Sequence, residues 1–256
     1  MEYQKIAFSK NDGVGIVSLD SPKNMNAVDE LLIEELVDAL NVCENDPDVR
    51  AVLLNSTGRA FSGGGDIGYM YQKIKKGDLD FESSFRDVAL AMKGMKRLSK
   101  PIVGAVNGAA AGAGFILALG CDYVVAAEDA FFLSAFVNVG LVPDTGGLYV
   151  MSRALGANKA AELALTGRIV KAEEAKQLGF VAKVVPADEL ADASMKEARR
   201  FASGPAMAYR KTKELLYQCQ FADFDEYVPC EVKAQGACVE TQDFRDRVIA
   251  FVEKKR

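Results

Sequence analysis

Histidine and tryptophan are absent from the 256 residues of this chain. Without histidine, Ser–His–Asp and Cys–His catalysis are excluded, as are histidine-rich metal sites. Proton transfer near neutral pH must then fall to a carboxylate, lysine, tyrosine or cysteine. Cysteine is scarce, and Cys43, Cys121, Cys219, Cys230 and Cys238 include no pair with the two-residue spacing of a zinc site. An odd set, with no secretory pattern in residues 1–6, reads as reduced thiols packed as small hydrophobes and predicts a cytoplasmic location. No metal site is expected. Long apolar runs are missing too: residues 109–119 are too short and too rich in Gly and Ala to span a bilayer, so no membrane association is expected. Dense basic blocks are also lacking, and a net charge of −5 spread along the chain argues against nucleic acid as a partner. An anionic ligand remains possible where helix ends and a few lysines face it.

What is present is enough apolar sequence, half of all residues, for one sizeable core. Residues 14–19 read as a strand. Asp29 is placed to cap a helix reaching about residue 45, with Leu32, Ile33, Leu36, Val37 and Leu40 on one stripe. Short apolar runs at 49–54, 101–106 and 122–127 read as strands covered on both faces. Between them, 82–98 and 112–120 have helical character. This alternation of strands and helices predicts an α/β architecture. Past about residue 155 the character changes to helices at 158–165, 171–178, 188–203, 205–220 and 241–255.

Two glycine-rich segments follow predicted strands: Ala60-Phe-Ser-Gly-Gly-Gly-Asp66-Ile67 and Asn107-Gly-Ala-Ala-Ala-Gly-Ala-Gly114. Glycine permits close approach of a ligand, and a helix starting there leaves free N–H groups at a positive dipole end. Two such groups aimed at one point make an oxyanion hole. The same turns also serve tight packing, and Asp66 also fits a helix N-cap. Neither segment is a Walker loop or a good dinucleotide fingerprint.

Five blocks in this order resemble the crotonase (enoyl-CoA hydratase/isomerase) superfamily over nearly the whole chain. They are Ser21-Pro-Lys-Asn-Met-Asn-Ala27, Gly58-Arg-Ala-Phe-Ser-Gly-Gly-Gly-Asp66, Lys100-Pro-Ile-Val-Gly-Ala-Val-Asn-Gly108, Gly140-Leu-Val-Pro-Asp-Thr-Gly-Gly147, and Leu165-Thr-Gly-Arg168 through Gly179-Phe-Val181. The resemblance implies a crotonase-like spiral of strand–strand–helix turns over residues 1–195. A helical trimerisation segment over 196–256 would follow it, in a homotrimer or a hexamer built as a dimer of trimers. It implies an acyl-CoA thioester as substrate, CoA being part of that substrate, with no separate cofactor. Carried over by position, the oxyanion donors are the N–H groups of Gly65 and Ala113. The implied CoA contacts are Lys23, Met25, Ala27, Ala60, Ser62, Asp66 and Ile67, with Lys254 or Lys255 reaching a neighbouring subunit's CoA.

The hydratases of this family use two glutamates; their positions here hold Ile116 and Phe136. The block 136–144 looks most like the isomerase version, in which Asp144 stands where one subgroup carries its catalytic acid. The expected reaction moves the double bond of a 3-enoyl-CoA to give a trans-2-enoyl-CoA, with Asp144 shuttling the proton and the hole holding a dienolate. Asp144 also fits a helix N-cap before residues 148–155. Asn138 is a candidate to orient its carboxylate, and Tyr69 and Tyr71 are candidates to line the acyl channel. Asp122 and Glu128 are expected to be structural. The alternatives are hydration or another crotonase-type thioester reaction, or a non-catalytic oligomeric scaffold.

Overall fold

The structure, a computed structural model, describes residues 3–253. β1 (Ile6–Asn11) and β2 (Val14–Leu19) form an antiparallel hairpin. Its tip, Asp12-Gly13, holds both residues in the left-handed region at φ 51° and 77°, as a two-residue turn between twisted strands requires. α1 (Glu30–Asn45) follows, and the Asp29 carboxylate accepts from the Leu32 N–H at 2.9 Å as the expected cap. Its buried stripe is Leu32, Ile33, Leu36, Ala39, Leu40 and Cys43.

The rest of the core is a coil that repeats. β3 (Ala51–Ser56) leads into the short β4 (Ala60–Ser62), then α2 (Ile67–Lys76) and α3 (Glu82–Arg97). β5 (Ile102–Val106) leads into β6 (Ala109–Ala111), then α4 (Ala113–Gly120). β7 (Tyr123–Ala127) leads into β8 (Phe131–Leu133) and a 3-10 turn, Ala135–Val139. The long strands lie side by side in a six-stranded sheet of order β1-β2-β3-β5-β7-β10, where β10 is Lys183–Val185. The short strands keep the same succession in a second sheet of order β4-β6-β8-β9, where β9 is Val170–Lys171. Each coil thus donates one strand to each sheet, which is the strand–strand–helix spiral expected above. Strands buried on both faces need apolar residues at every position, and β5 is buried throughout.

Helices close the structure: α5 (Gly147–Leu155), α6 (Ala157–Thr166), α7 (Ala172–Gln177), α8 (Leu190–Ala202), α9 (Ala206–Gln220), α10 (Phe224–Val239) and α11 (Gln242–Glu253). The boundary expected at residues 195 and 196 falls inside α8, whose Ser194, Ala198 and Ala202 are buried as it packs on β3 and β5. Among the described residues no helix is long and apolar enough to cross a membrane.

Some expectations need correction. The strand predicted at 49–54 begins at Ala51, because the Val49 N–H closes a turn onto the Asp46 carbonyl. β1 was not predicted; only Ile6 of its residues is buried, so it carries little apolar alternation. α10 was not predicted either. Pro229 stands inside it, and buried Glu231 and Gln235 interrupt its apolar stripe. α2 begins after Asp66, in keeping with the N-cap reading of that residue, but its extent carries no apolar signal because none of its residues is buried.

The coils touch through glycine. A Cβ on Gly64 (φ 88°) would lie 2.6 Å from the Ala111 carbonyl oxygen, and one on Gly114 would lie 2.6 Å from both Cβ and O of Ser62. Gly114→Ala is therefore expected to destabilise the fold by about 1–3 kcal/mol through overpacking. Urea unfolding measures this, and an unchanged midpoint would show that the coils do not depend on that approach.

Candidate active site

The two glycine-rich turns occupy equivalent places in successive coils, each between a short strand of the second sheet and a helix. β4 and β6 pair in parallel, Ala60 opposite Ala109 and Ser62 opposite Ala110, so the turns that follow lie next to one another. Asn26 braces the first turn from below: its Oδ1 accepts from the Ser21 N–H at 2.8 Å, and its Nδ2 donates to the carbonyls of Thr57 and Ala60 at 2.9 Å each. The Ser62 hydroxyl donates to the Asn26 carbonyl at 2.7 Å. The Gly63 and Gly64 N–H groups are used within the turn, bonding to the Met25 carbonyl at 2.8 Å and the Ser62 hydroxyl at 3.2 Å. In contrast, the N–H groups of Gly65 and Ala113 have no hydrogen-bond partner among the described residues. Both residues line one cavity of about 270 Å³. Ala113 opens α4, and Gly65 lies just before Asp66, the N-cap of α2, so each sits at a helix end whose dipole favours negative charge.

Asp144 lines the same cavity. It lies between the 3-10 turn and α5, and is only 7% exposed. The helix-cap reading does not hold: Gly146 is the N-cap of α5 and offers no side chain. Instead, the Thr145 hydroxyl donates to Oδ1 at 2.9 Å and the Gln235 amide donates to Oδ2 at 3.0 Å. Thr145 sits at φ 63° and Gly146 at φ 71°. A β-branched residue in that region is strained by about 1–3 kcal/mol, a cost this turn carries in bringing the Thr145 hydroxyl back onto its neighbour's carboxylate. Burial pushes the Asp144 carboxyl up to about 6, against the pull of the Thr145 and Gln235 hydrogen bonds. A carboxylate so tuned is matched to proton transfer near neutral pH.

Apolar residues complete the wall. Val28, Leu31, Met70, Phe81, Phe85 and Val88 line the cavity, together with the half-exposed Tyr69. Phe81 and Phe85 also line a neighbouring groove of about 770 Å³ between α3 and α10. Ile116 is fully buried, with side-chain carbons 3.2 Å from the Cβ position of Gly147, and Phe136 packs on the corresponding position of Gly112. No carboxylate stands in either place.

The other residues singled out from the sequence divide. Asp66 lines the cavity and caps α2, its carboxylate accepting from the Tyr69 N–H at 2.9 Å. Ile67 is half-buried; Lys23 is exposed on the 3-10 turn Pro22–Asn24, and Met25 beside it is in the left-handed region at φ 58°. Ala27, Ala60 and Ser62 are buried and build the turn from inside. Lys254 and Lys255 lie outside the described residues. Asn138 does not hold Asp144; its amide lies against Gly167, and Gln235 takes that role. Tyr71 is not in the cavity wall; its hydroxyl bonds to Glu253. Asp122 is structural, accepting from the Ile102 N–H at 2.8 Å and pairing with Lys213. Asn26, Glu231 and Gln235 were missed. Asn26 stands inside a quoted block, and the partners that satisfy its buried amide are main-chain groups that only the fold brings to it. The other two lie on the helix that Pro229 concealed.

Residues 9–256 match the family described as Enoyl-CoA hydratase/isomerase, and the chain belongs to that family. The trans-2-decenoyl-[acyl-carrier-protein] isomerase of Streptococcus mutans serotype c is 34% identical, aligning over all of this chain and 98% of its own length. A probable enoyl-CoA hydratase of Rhodobacter capsulatus is 33% identical over all of this chain and 97% of its own. The crystal structure of an enoyl-CoA hydratase from Mycobacterium avium subsp. paratuberculosis superposes with a TM-score of 0.87 at 31% identity, covering 98% of this chain and 100% of that one.

A direct check on the unpartnered amides is available, because Ala113 is the first residue of α4, a position where helices accept proline. Ala113→Pro removes one N–H while leaving the helix intact. Turnover of an acyl thioester substrate is expected to fall by about a hundred- to a thousandfold, as for loss of one oxyanion donor. Steady-state kinetics together with a thermal melt separates this from misfolding.

Proposed function

We propose that this protein is an isomerase of unsaturated acyl thioesters, shifting a double bond between the 3 and trans-2 positions. The observation that carries the reading is the sharing of one cavity wall by the buried Asp144 carboxylate and the free N–H groups of Gly65 and Ala113. In this reading the two amides grip the thioester carbonyl oxygen and so acidify the neighbouring carbon. Asp144 takes a proton from the alpha carbon. The electrons flow into a dienolate held by the two N–H groups, and Asp144 returns the proton at the gamma carbon. One carboxylate lying over one face of the substrate serves both ends. Running the same steps backwards converts the trans-2 isomer to the 3-enoyl form. The isomerase relative from Streptococcus supports this chemistry, while the hydratase relatives support only the shared thioester site.

Hydration is disfavoured by Ile116 and Phe136, which put apolar side chains where the resemblance calls for the two water-activating glutamates. The acyl tail, in this reading, runs past Phe81 and Phe85 toward the groove between α3 and α10, whose Val228, Val232 and Val239 offer apolar contact. The carrier is coenzyme A or a carrier protein, which share the thioester and phosphopantetheine arm. The expected trimeric assembly is consistent with exposed Met207, Leu215 and Leu216 on α9.

Asp144→Asn is expected to slow isomerisation of a 3-enoyl thioester by about a hundred- to ten-thousandfold, with the fold retained by circular dichroism. The base must be ionised, so wild-type kcat/KM should rise with pH through about 6. Crotonyl-CoA hydration should be weak in both proteins. Wild-type isomerisation by the Asn variant would remove Asp144 from the mechanism.

A further inference from the structure

α10 places two buried polar side chains, Glu231 and Gln235, four residues apart and therefore on one face of the helix. Both engage the Asp144 turn. Glu231 Oε1 accepts from the Gly146 N–H at 2.9 Å, and Gln235 Nε2 donates to Asp144 Oδ2 at 3.0 Å. Among the described residues each has one buried atom left without a hydrogen-bond partner: Oε2 of Glu231 and Oε1 of Gln235. Two orphaned acceptors on adjacent side chains are costly unless something joins them. A carboxylate cannot, since it only accepts; a protonated carboxyl has one O–H to give.

We propose that Glu231 is a positioning residue that holds a proton and donates it from Oε2 to Gln235 Oε1, locking the Gln235 amide with its N–H groups toward Asp144. The single proton satisfies both orphaned atoms. It also gives the chain a direction, Glu231 to Gln235 to Asp144, ending on the carboxylate that the proposed mechanism ionises. This proposal rests on the reading of Asp144 as the base for its effect on rate, but not for the protonation of Glu231 itself.

The surroundings favour the neutral acid. Burial pushes the Glu231 carboxyl up to about 8; the Gly146 N–H opposes it, the charge of Asp144 raises it further, and the Tyr227 hydroxyl and Gly147 N–H pull the other way more weakly. Asp144 and, on its own helix, Tyr227 are the titratable groups that act on it; α3 and α11, which also pack on α10, contribute none. The lysine of α3 that reaches α10, Lys93, is committed to Asp225. Ionising Glu231 would remove the donor to Gln235 and add a second negative charge beside Asp144. A folded-state pKa above the ordinary value means that the folded protein keeps a proton the unfolded chain releases. This contribution to stability is therefore complete at low pH and lost as pH rises toward and through about 8.

The test compares Glu231→Gln, Glu231→Ala and Gln235→Leu in the full-length protein. Wild-type activity should fall as Glu231 ionises above about pH 8; Glu231→Gln can accept from Gly146 and donate to Gln235, so it should keep the wild-type rate at pH 7 and lack that fall. Glu231→Ala and Gln235→Leu should each lower kcat about tenfold, as for removal of a hydrogen bond leading to a charged group. Infrared spectroscopy at pH 7 should show a protonated-carboxyl band that Glu231→Gln abolishes. An ionised Glu231 in that measurement, or an unchanged alkaline limb in Glu231→Gln, overturns the proposal. If Glu231→Ala does not fold, Glu231→Gln and the infrared band still decide. Should Asp144 prove dispensable, the band tests Glu231 independently, so the two readings fail separately.

Discussion

The structure depends on a contact that no side chain can occupy: the main chain of one coil laid against the main chain of the next, Gly64 on Ala111 and Gly114 on Ser62. β4 and β6 are too short to hold their register alone. It is the absence of Cβ atoms at these two points that lets the coils close, with Asn26 and Ser62 fastening the first turn from beneath. The consequence is electrostatic. Two helices start at neighbouring points, the amides of Gly65 and Ala113 beside those starts are not consumed by the turns, and both residues line one cavity. Preorganised donors of this kind need not reorient as charge develops on a carbonyl oxygen, which is why they are effective in a water-poor site.

Asp144 is held by a different part of the chain. Its turn departs from the third coil through a left-handed threonine and glycine, a conformation that neighbouring elements must impose. α10 supplies that constraint. Phe224 packs its ring edge against Gly146, Glu231 bonds the Gly146 amide, and Gln235 bonds the carboxylate itself. The resulting acid is ionisable but reluctant, because burial disfavours charge while two donors partly restore it. The amides that would receive negative charge and the acid that would move a proton thus answer to separate supports.

Much of the spiral was legible in the sequence. The Asp29 cap and its apolar stripe gave α1 nearly to the residue, and short apolar runs gave β5 and β7 because doubly covered strands cannot hide their character. The five family blocks led to Gly65, Ala113 and Asp144, which one cavity brings together. What was not legible shares a physical cause. α10 has a proline in its interior and carries a glutamate and a glutamine on its buried face. Each looks like an exception to helical patterning, and together they erase it. The two polar exceptions are the residues that bond the Asp144 turn, Gln235 at the carboxylate and Glu231 at the Gly146 amide, so the pattern fails where the polar chemistry is. The hairpin β1–β2 is hidden for a plainer reason: its first strand is mostly exposed, which leaves Asp12-Gly13 as its local signal. Backbone amides are legible only by position, since any side chain can follow them.

One consequence follows from having the amides come from successive coils. Their separation is set by the pitch of the spiral, a property of the main chain as a whole, so in the proposed reading the place where a carbonyl would rest is the same whatever side chains surround it. In the proposed reading, substrate preference would then be written elsewhere, in the side chains that α2 and α3 contribute to the cavity wall. In that reading the scaffold would take a different acyl group by changing the side chains that line the cavity, while the main-chain spacing of the two amides stayed constant.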